Sequence, residues 1–109
     1  MGICVVLESL TGELVNDLPD PAGGTFDAAG DFDRLLEAPD LVGAMPWSLL
    51  DPMGEVFLDR SQMRALLEQL ATVSATARPG PEARGLTRLV TLAVRCRDHE
   101  GLRLRASGD

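Results

Sequence analysis

Charge is divided along this chain in a way that restricts how it can fold. Residues Met1 to Asp59 hold twelve carboxylates and one cation, Arg34, a net of −11, whereas Arg60 to Asp109 hold nine arginines against five carboxylates, a net of +4. Two such halves either neutralise each other inside one fold or leave an acidic surface for a basic partner. The end of the chain shows how internal pairing would work. Leu102, Leu104 and Ala106 alternate with Arg103 and Arg105, so the arginines fall on one face of a strand and can pair across a sheet with acidic residues of the opening segment.

A chain of 109 residues, 45% apolar and 25% charged, is expected to form one domain, 1–109, around one core. With four aromatic residues (Phe26, Phe32, Trp47 and Phe57) and no tyrosine, that core has to be built mostly from Leu, Val and Ala. Ile3, Val5 and Leu7 alternate as in a strand, Thr11-Gly12 supplies a turn, and Glu13 to Leu18 reads as the returning strand of a hairpin. Pro19-Asp20-Pro21 ends it. The Gly/Pro/Asp-rich segment 19–46 holds few packing residues beyond a short helical stretch over Asp31–Glu37, and is expected to be mobile.

Asp51-Pro52-Met53-Gly54 has the residues of a type I turn. Ser48–Leu50 and Glu55–Leu58 flank it as the strands of a central hairpin. Asp59 and Gln62 are spaced as a capping box for a helix that reaches about Ala77, with Met63, Leu66, Leu67, Leu70 and Val73 on one stripe. Arg78-Pro79-Gly80-Pro81 breaks it. A second helix over Glu82–Asp98 buries Leu86, Leu89, Val90 and Ala93. Arg97 projects near the middle of that stripe, where either the helix has already frayed or the arginine reaches a carboxylate under the core. Together these elements predict an α+β fold: a small antiparallel sheet of N-terminal hairpin, central hairpin and C-terminal strand, covered by an antiparallel helix pair. The last strand lies beside the first, with Gly2 and Asp109 on opposite ends of neighbouring antiparallel strands.

Few residues carry the signature of chemistry. Cys4, Cys96 and His99 are the soft ligands, one short of a closed zinc site without a carboxylate, so neither metal nor cofactor is expected. Two cysteines make no disulfide framework, and free thiols suit a cytoplasmic protein. The catalytic candidates are Cys96 with His99 as a nucleophile pair, and Asp51 and Glu55, clustered with Asp59 around the central hairpin, as acid/base carboxylates. The plainer roles are a buried thiol, a helix-terminal histidine, a turn aspartate and a solvated strand residue. The binding candidates are Asp27, Asp31 and Asp33, which lack EF-hand spacing, together with Trp47, Asp51, Met53 and Glu55. The row Arg84, Arg88 and Arg95 reads as a solvated helix face.

A pI near 4.5 argues against nucleic acid as partner. No apolar run reaches membrane-spanning length, no basic region opens a signal peptide, and Val6 stands where a myristoylation motif needs Ser or Thr.

Several of these residues carry a resemblance. Met1-Gly2-Ile3, Leu7-Glu8, Asp51-Pro52-Met53-Gly54-Glu55, Gln62-Met63, Cys96-Arg97-Asp98 and Gly108-Asp109 resemble the opening, central hairpin and close of a family of short actinobacterial proteins with no assigned activity. The resemblance covers both ends and the middle, not Ala22 to Ala44. Met53 and Glu55 depart from the aromatic and Asp of the family pattern. It implies one shared fold and a cytosolic origin, but no reaction.

Three functions fit this reading. The first is a non-enzymatic acidic module that binds a basic protein, of an immunity-like or regulatory kind. The second is a small-ligand-binding or accessory protein of a biosynthetic pathway, with its pocket between segment 19–46 and the sheet. The third is a small enzyme using the carboxylates or Cys96 and His99. Self-association as a homodimer is compatible with each.

Overall fold

The computed structural model describes residues 3–15, 26–27, 36, 39–41, 43–51 and 53–108. In chain order they form strand β1 (Ile3–Ser9), the two-residue strand β2 (Phe26–Asp27), strand β3 (Glu55–Asp59), helix α1 (Met63–Ser74), helix α2 (Pro81–Asp98) and strand β4 (Leu102–Gly108). Single 3-10 turns lie at Pro39–Leu41, Trp47–Leu49 and Arg60–Gln62. The strands make one antiparallel sheet in the order β2-β1-β4-β3. This is the α+β architecture expected from the sequence, with the helix pair packed on one face of the sheet.

The alternation in β1 and β4 decides which face is buried. Val5, Ala106 and Val56 form one row across three strands, and Leu7, Leu104 and Leu58 form the next. Both rows face the helices and join one core cluster with Met63, Leu66, Leu70 and Val73 of α1 and Leu86, Leu89, Leu92, Ala93 and Cys96 of α2. Each fully buried large side chain contributes about 1.5–3 kcal/mol, so this two-layer contact is what holds the fold. Ile3 pairs with Gly108. The N-terminal end of β1 therefore lies beside the C-terminal end of β4, as expected for neighbouring antiparallel strands.

Four local expectations are revised. Of Ser48–Leu50, expected as a strand, Ser48 and Leu49 belong to the 3-10 turn Trp47–Leu49, and Leu50 is its extended C-cap. The amide and hydroxyl of Ser48 both donate to the Ala44 carbonyl at 2.8 Å, which curls the chain before β3. The return arm of the opening hairpin is short among the described residues: Leu14 bridges Glu8, and the amides of Ser9 and Val15 donate to the carbonyls of Glu13 and Leu7. Residues 16–18 lie outside the described set, as does most of segment 19–46, where mobility was expected; within it Phe26 and Asp27 pair with Val5 and Cys4.

The stripe of α2 includes Leu92, 1% exposed, in place of the half-buried Val90. It is centred on Leu89, Ala93 and Cys96, and at about 100° per residue that rotation carries Arg97 to the rim. Arg97 is exposed and pairs with its neighbour Asp98 at 2.8 Å. The buried pairing, one of its two alternatives, does not form.

Candidate functional site

The face of the sheet turned away from the helices is a lattice of charge. Three rows cross it: Cys4, Ser107 and Glu55; Val6, Arg105 and Phe57; Glu8, Arg103 and Asp59. Glu8 is the node, only 2% exposed. Arg103 donates from Nε to Glu8 Oε2 at 2.8 Å and approaches the same oxygen with Nη2 at 2.6 Å, and Arg105 Nε donates to Oε1 at 2.9 Å. Both carboxylate oxygens thus accept charge-assisted bonds, the condition under which a buried carboxylate is tolerated. Arg103 also lies over the Phe57 ring, 4.3 Å from its centroid, a cation–π contact. Arg105 extends to Glu55 at 3.9 Å. The pairing of β4 arginines with an acidic residue of the opening segment is therefore present, and it is Glu8 that makes it.

This network touches Phe57 and Glu55, two members of a ribbon that runs from Asp51 to Asp59. Asp51, Met53, Glu55, Phe57 and Asp59 are all exposed, Met53 by 69% and Phe57 by 46%. They alternate acid, apolar, acid, aromatic, acid. The Asp51-to-Gly54 turn sets the entry: Asp51 Oδ1 accepts from the Met53 amide at 2.8 Å and the Asp51 carbonyl from the Gly54 amide at 3.1 Å. A capping box sets the exit, with the Asp59 amide donating to Gln62 Oε1 at 2.8 Å and the Asp59 carboxylate taking the Gln62 amide in return. Of the binding candidates, the ribbon unites Asp51, Met53 and Glu55. It adds Phe57 and Asp59, which the period-two spacing from Asp51 could have indicated.

Trp47 does not belong there. It is 1% exposed and part of the core. Its amide donates to Gln69 Oε1 at 3.0 Å, while Gln69 Nε2 donates to the Met45 carbonyl at 2.8 Å. Asp27 pairs in register with Cys4, and Asp31 and Asp33 lie outside the described residues.

The catalytic candidates do not converge. Glu55 and Asp59 lie four residues apart along one strand, about 13 Å at 3.3 Å per residue, too far to share a proton, and Asp51 is engaged in its turn. Cys96 is fully buried and donates to the Leu102 carbonyl at 3.6 Å. Burial, with the charge of Asp59, pushes its thiol up to about 11, so it carries no thiolate at neutral pH. His99 is exposed at the end of α2, its Nδ1 3.2 Å from the Arg95 carbonyl, where a histidine meets the last orphan carbonyls of a helix. Cys4 and Cys96 form no disulfide; one lies on the outer face of the sheet and one in the core. No group of three or more His, Cys, Asp or Glu among the described residues could hold a metal ion.

A groove of about 530 Å³ lies on the far side of the molecule, between the end of α1 and the first half of α2. Ala77, Pro79, Ala83, Leu86 and Val90 line it with Thr87 and Thr91. The threonine hydroxyls donate back to the carbonyls of Ala83 and Thr87 at 3.0 Å, which leaves the walls largely apolar. Arg84 and Arg88 border a shallower depression that shares Ala83 and Thr87 with it. Among the described residues no helix is long and apolar enough to cross a membrane. Comparison of the chain with protein-family models, with curated proteins and with solved structures finds no match.

Proposed function

We propose that this protein is a non-enzymatic acidic module of the cytoplasm that binds a basic protein through the ribbon Asp51–Asp59. The observation that carries the reading is the alternation of three exposed carboxylates with exposed Met53 and Phe57 on one continuous stretch. Apolar anchors that alternate along the chain with one sign of charge combine contact energy with selection for the opposite charge. Few ion pairs among the described residues join the two halves. Among the described residues Glu8 and Glu55 are the carboxylates of the first half that meet an arginine of the second, while Arg60, Arg64 and Arg97 pair with Glu100, Glu68 and Asp98 of their own half. A net charge of −7 steers a basic partner toward the molecule. Two cysteines outside any disulfide fit a reducing compartment.

The test is affinity capture from native extract with the wild type and Glu55→Lys side by side, at low and high salt. A stoichiometric basic protein retained by the wild type, and lost both in high salt and on charge reversal, is expected. Recovery of the same proteins by both baits overturns the reading.

The groove beside α2 favours a second reading, a small amphipathic ligand with an aliphatic body and an anionic head near Arg84 and Arg88. Thermal stabilisation by an aliphatic carboxylate, abolished in Val90→Glu, would select it.

A further inference from the structure

β3 is the last strand of the sheet, and its hydrogen-bonding pattern shows which main-chain groups face outward. The Gly108 amide donates to the Gly54 carbonyl at 2.7 Å, and these two residues are the next pair beyond Glu55 and Ser107, where the β3–β4 register begins. Hydrogen-bonded and non-hydrogen-bonded pairs alternate along an antiparallel ladder. Val56 and Leu58 therefore turn their main-chain groups toward β4, and Glu55, Phe57 and Asp59 turn theirs away. The Asp59 amide is taken by Gln62. The amide and carbonyl of Glu55 and of Phe57 are left, and among the described residues no strand pairs on that side.

We propose that this open edge receives an extended basic segment of the partner protein as a fifth, antiparallel strand with the pattern basic–x–apolar–x–basic, the apolar residue opposite Phe57 and the basic ones opposite Glu55 and Asp59. The proposal rests on the acidic-module reading and specifies how that module binds. Main-chain bonds to a sheet edge provide affinity and alternate side chains provide selection. One row of the outer face already alternates in sign, with Glu8 followed by Arg103 and then Asp59, and a basic residue is the next member of that series. A second copy of this chain fits poorly. Full antiparallel overlap of two β3 strands centred on Phe57 sets Glu55 against Asp59 twice, and like charges directly opposite are destabilising. The same carboxylates that block self-pairing admit a strand of opposite charge.

The experiment uses the wild-type protein and four synthetic peptides, with binding measured by calorimetry. The first has the core Arg-Val-Phe-Val-Arg and the second Glu-Val-Phe-Val-Glu. The third and fourth are the arginine peptide N-methylated at its Phe, whose amide would face β3, or at a Val, whose amide would face away. The arginine peptide should bind and the glutamate peptide should not. Methylation at Phe should weaken binding by about tenfold or more, because a main-chain bond and its close approach are lost, while methylation at Val should change it little. If both methylated peptides bind as well as the parent, strand addition is overturned and charge recognition by the ribbon stands. If the arginine peptide binds no better than the glutamate peptide, strand addition and the acidic-module reading of this ribbon both fail.

Discussion

Glu8 lies directly opposite Arg103 across the β1–β4 ladder, with its carboxylate 2.6 Å from the Arg103 guanidinium and almost no surface of its own. This contact joins the two oppositely charged halves of the chain at positions 95 residues apart. It also holds Arg103 over Phe57, so the aromatic of the exposed ribbon takes its orientation from a carboxylate two strands away.

Glu8→Gln keeps the shape of that residue and removes its charge. Two arginines then share a neutral acceptor. Because both guanidinium groups retain access to water, the loss should be smaller than for a fully enclosed pair, about 1–3 kcal/mol. Urea denaturation measures it, and an unchanged midpoint would mean that water serves the arginines as well as Glu8 does.

Cys96 makes stability depend on alkaline pH. Its folded thiol is raised from the ordinary 9.0 to about 11, by burial first and the Asp59 charge second, with Arg60 opposing. Between those values the unfolded chain has released the proton that the folded chain still holds. The unfolded state then binds fewer protons, and stability falls as pH rises. At about 1.4 kcal/mol per pH unit, crossing the window should remove about 2–3 kcal/mol. Cys96→Ala should flatten this decline in denaturation curves across the same range, and parallel pH profiles would show that the thiol does not cause it. Alkylation of the native protein at neutral pH should modify Cys4 far faster than Cys96.

Gln69 clasps the chain on both sides of Pro46, through the Trp47 amide and the Met45 carbonyl. Gln69→Leu leaves those two main-chain groups without the side chain they bond, and should cost about 1–3 kcal/mol. Trp47 is the single tryptophan, so its fluorescence reports the site directly. Acrylamide quenching should be weak in the wild type and stronger in the variant. Equal quenching would show that core packing alone holds the indole.

Arg97→Ala and Gln62→Ala separate an ornamental contact from a structural one. Arg97 and Asp98 are exposed neighbours; the arginine holds the Asp98 carboxyl below its ordinary range, chiefly through their hydrogen bond. Exposed pairs of this kind contribute little, so Arg97→Ala should leave the denaturation midpoint where it was. Gln62→Ala removes half of the capping box that joins β3 to α1, and should cost about 0.5–2 kcal/mol. If the arginine variant proves the less stable of the two, the assignment of roles is reversed.

What the amino-acid order determined by itself is local. The alternation in Ile3–Leu7 and Leu102–Ala106, the Asp51–Gly54 turn, the Asp59–Gln62 cap and the 3.6-residue stripe of α1 all depend on spacings of a few residues, and each is present as read. The uneven charge also implied that Arg103 and Arg105 would find an acidic partner in the first half. Which carboxylate it is follows from the β1–β4 register, because a slip of one residue would turn Glu8 into the core. Tertiary structure likewise set the rotation of α2, which takes Arg97 out of the interior, since a helix turns about its axis to suit what it packs against. It placed Trp47 inside, because Gln69 is 22 residues away in sequence. And it made β3 an edge strand. The residues Glu55 to Asp59 would read alike in the centre of a sheet or at its border; the order of the strands turns the main-chain groups of Glu55 and Phe57 to the side where, among the described residues, no strand pairs.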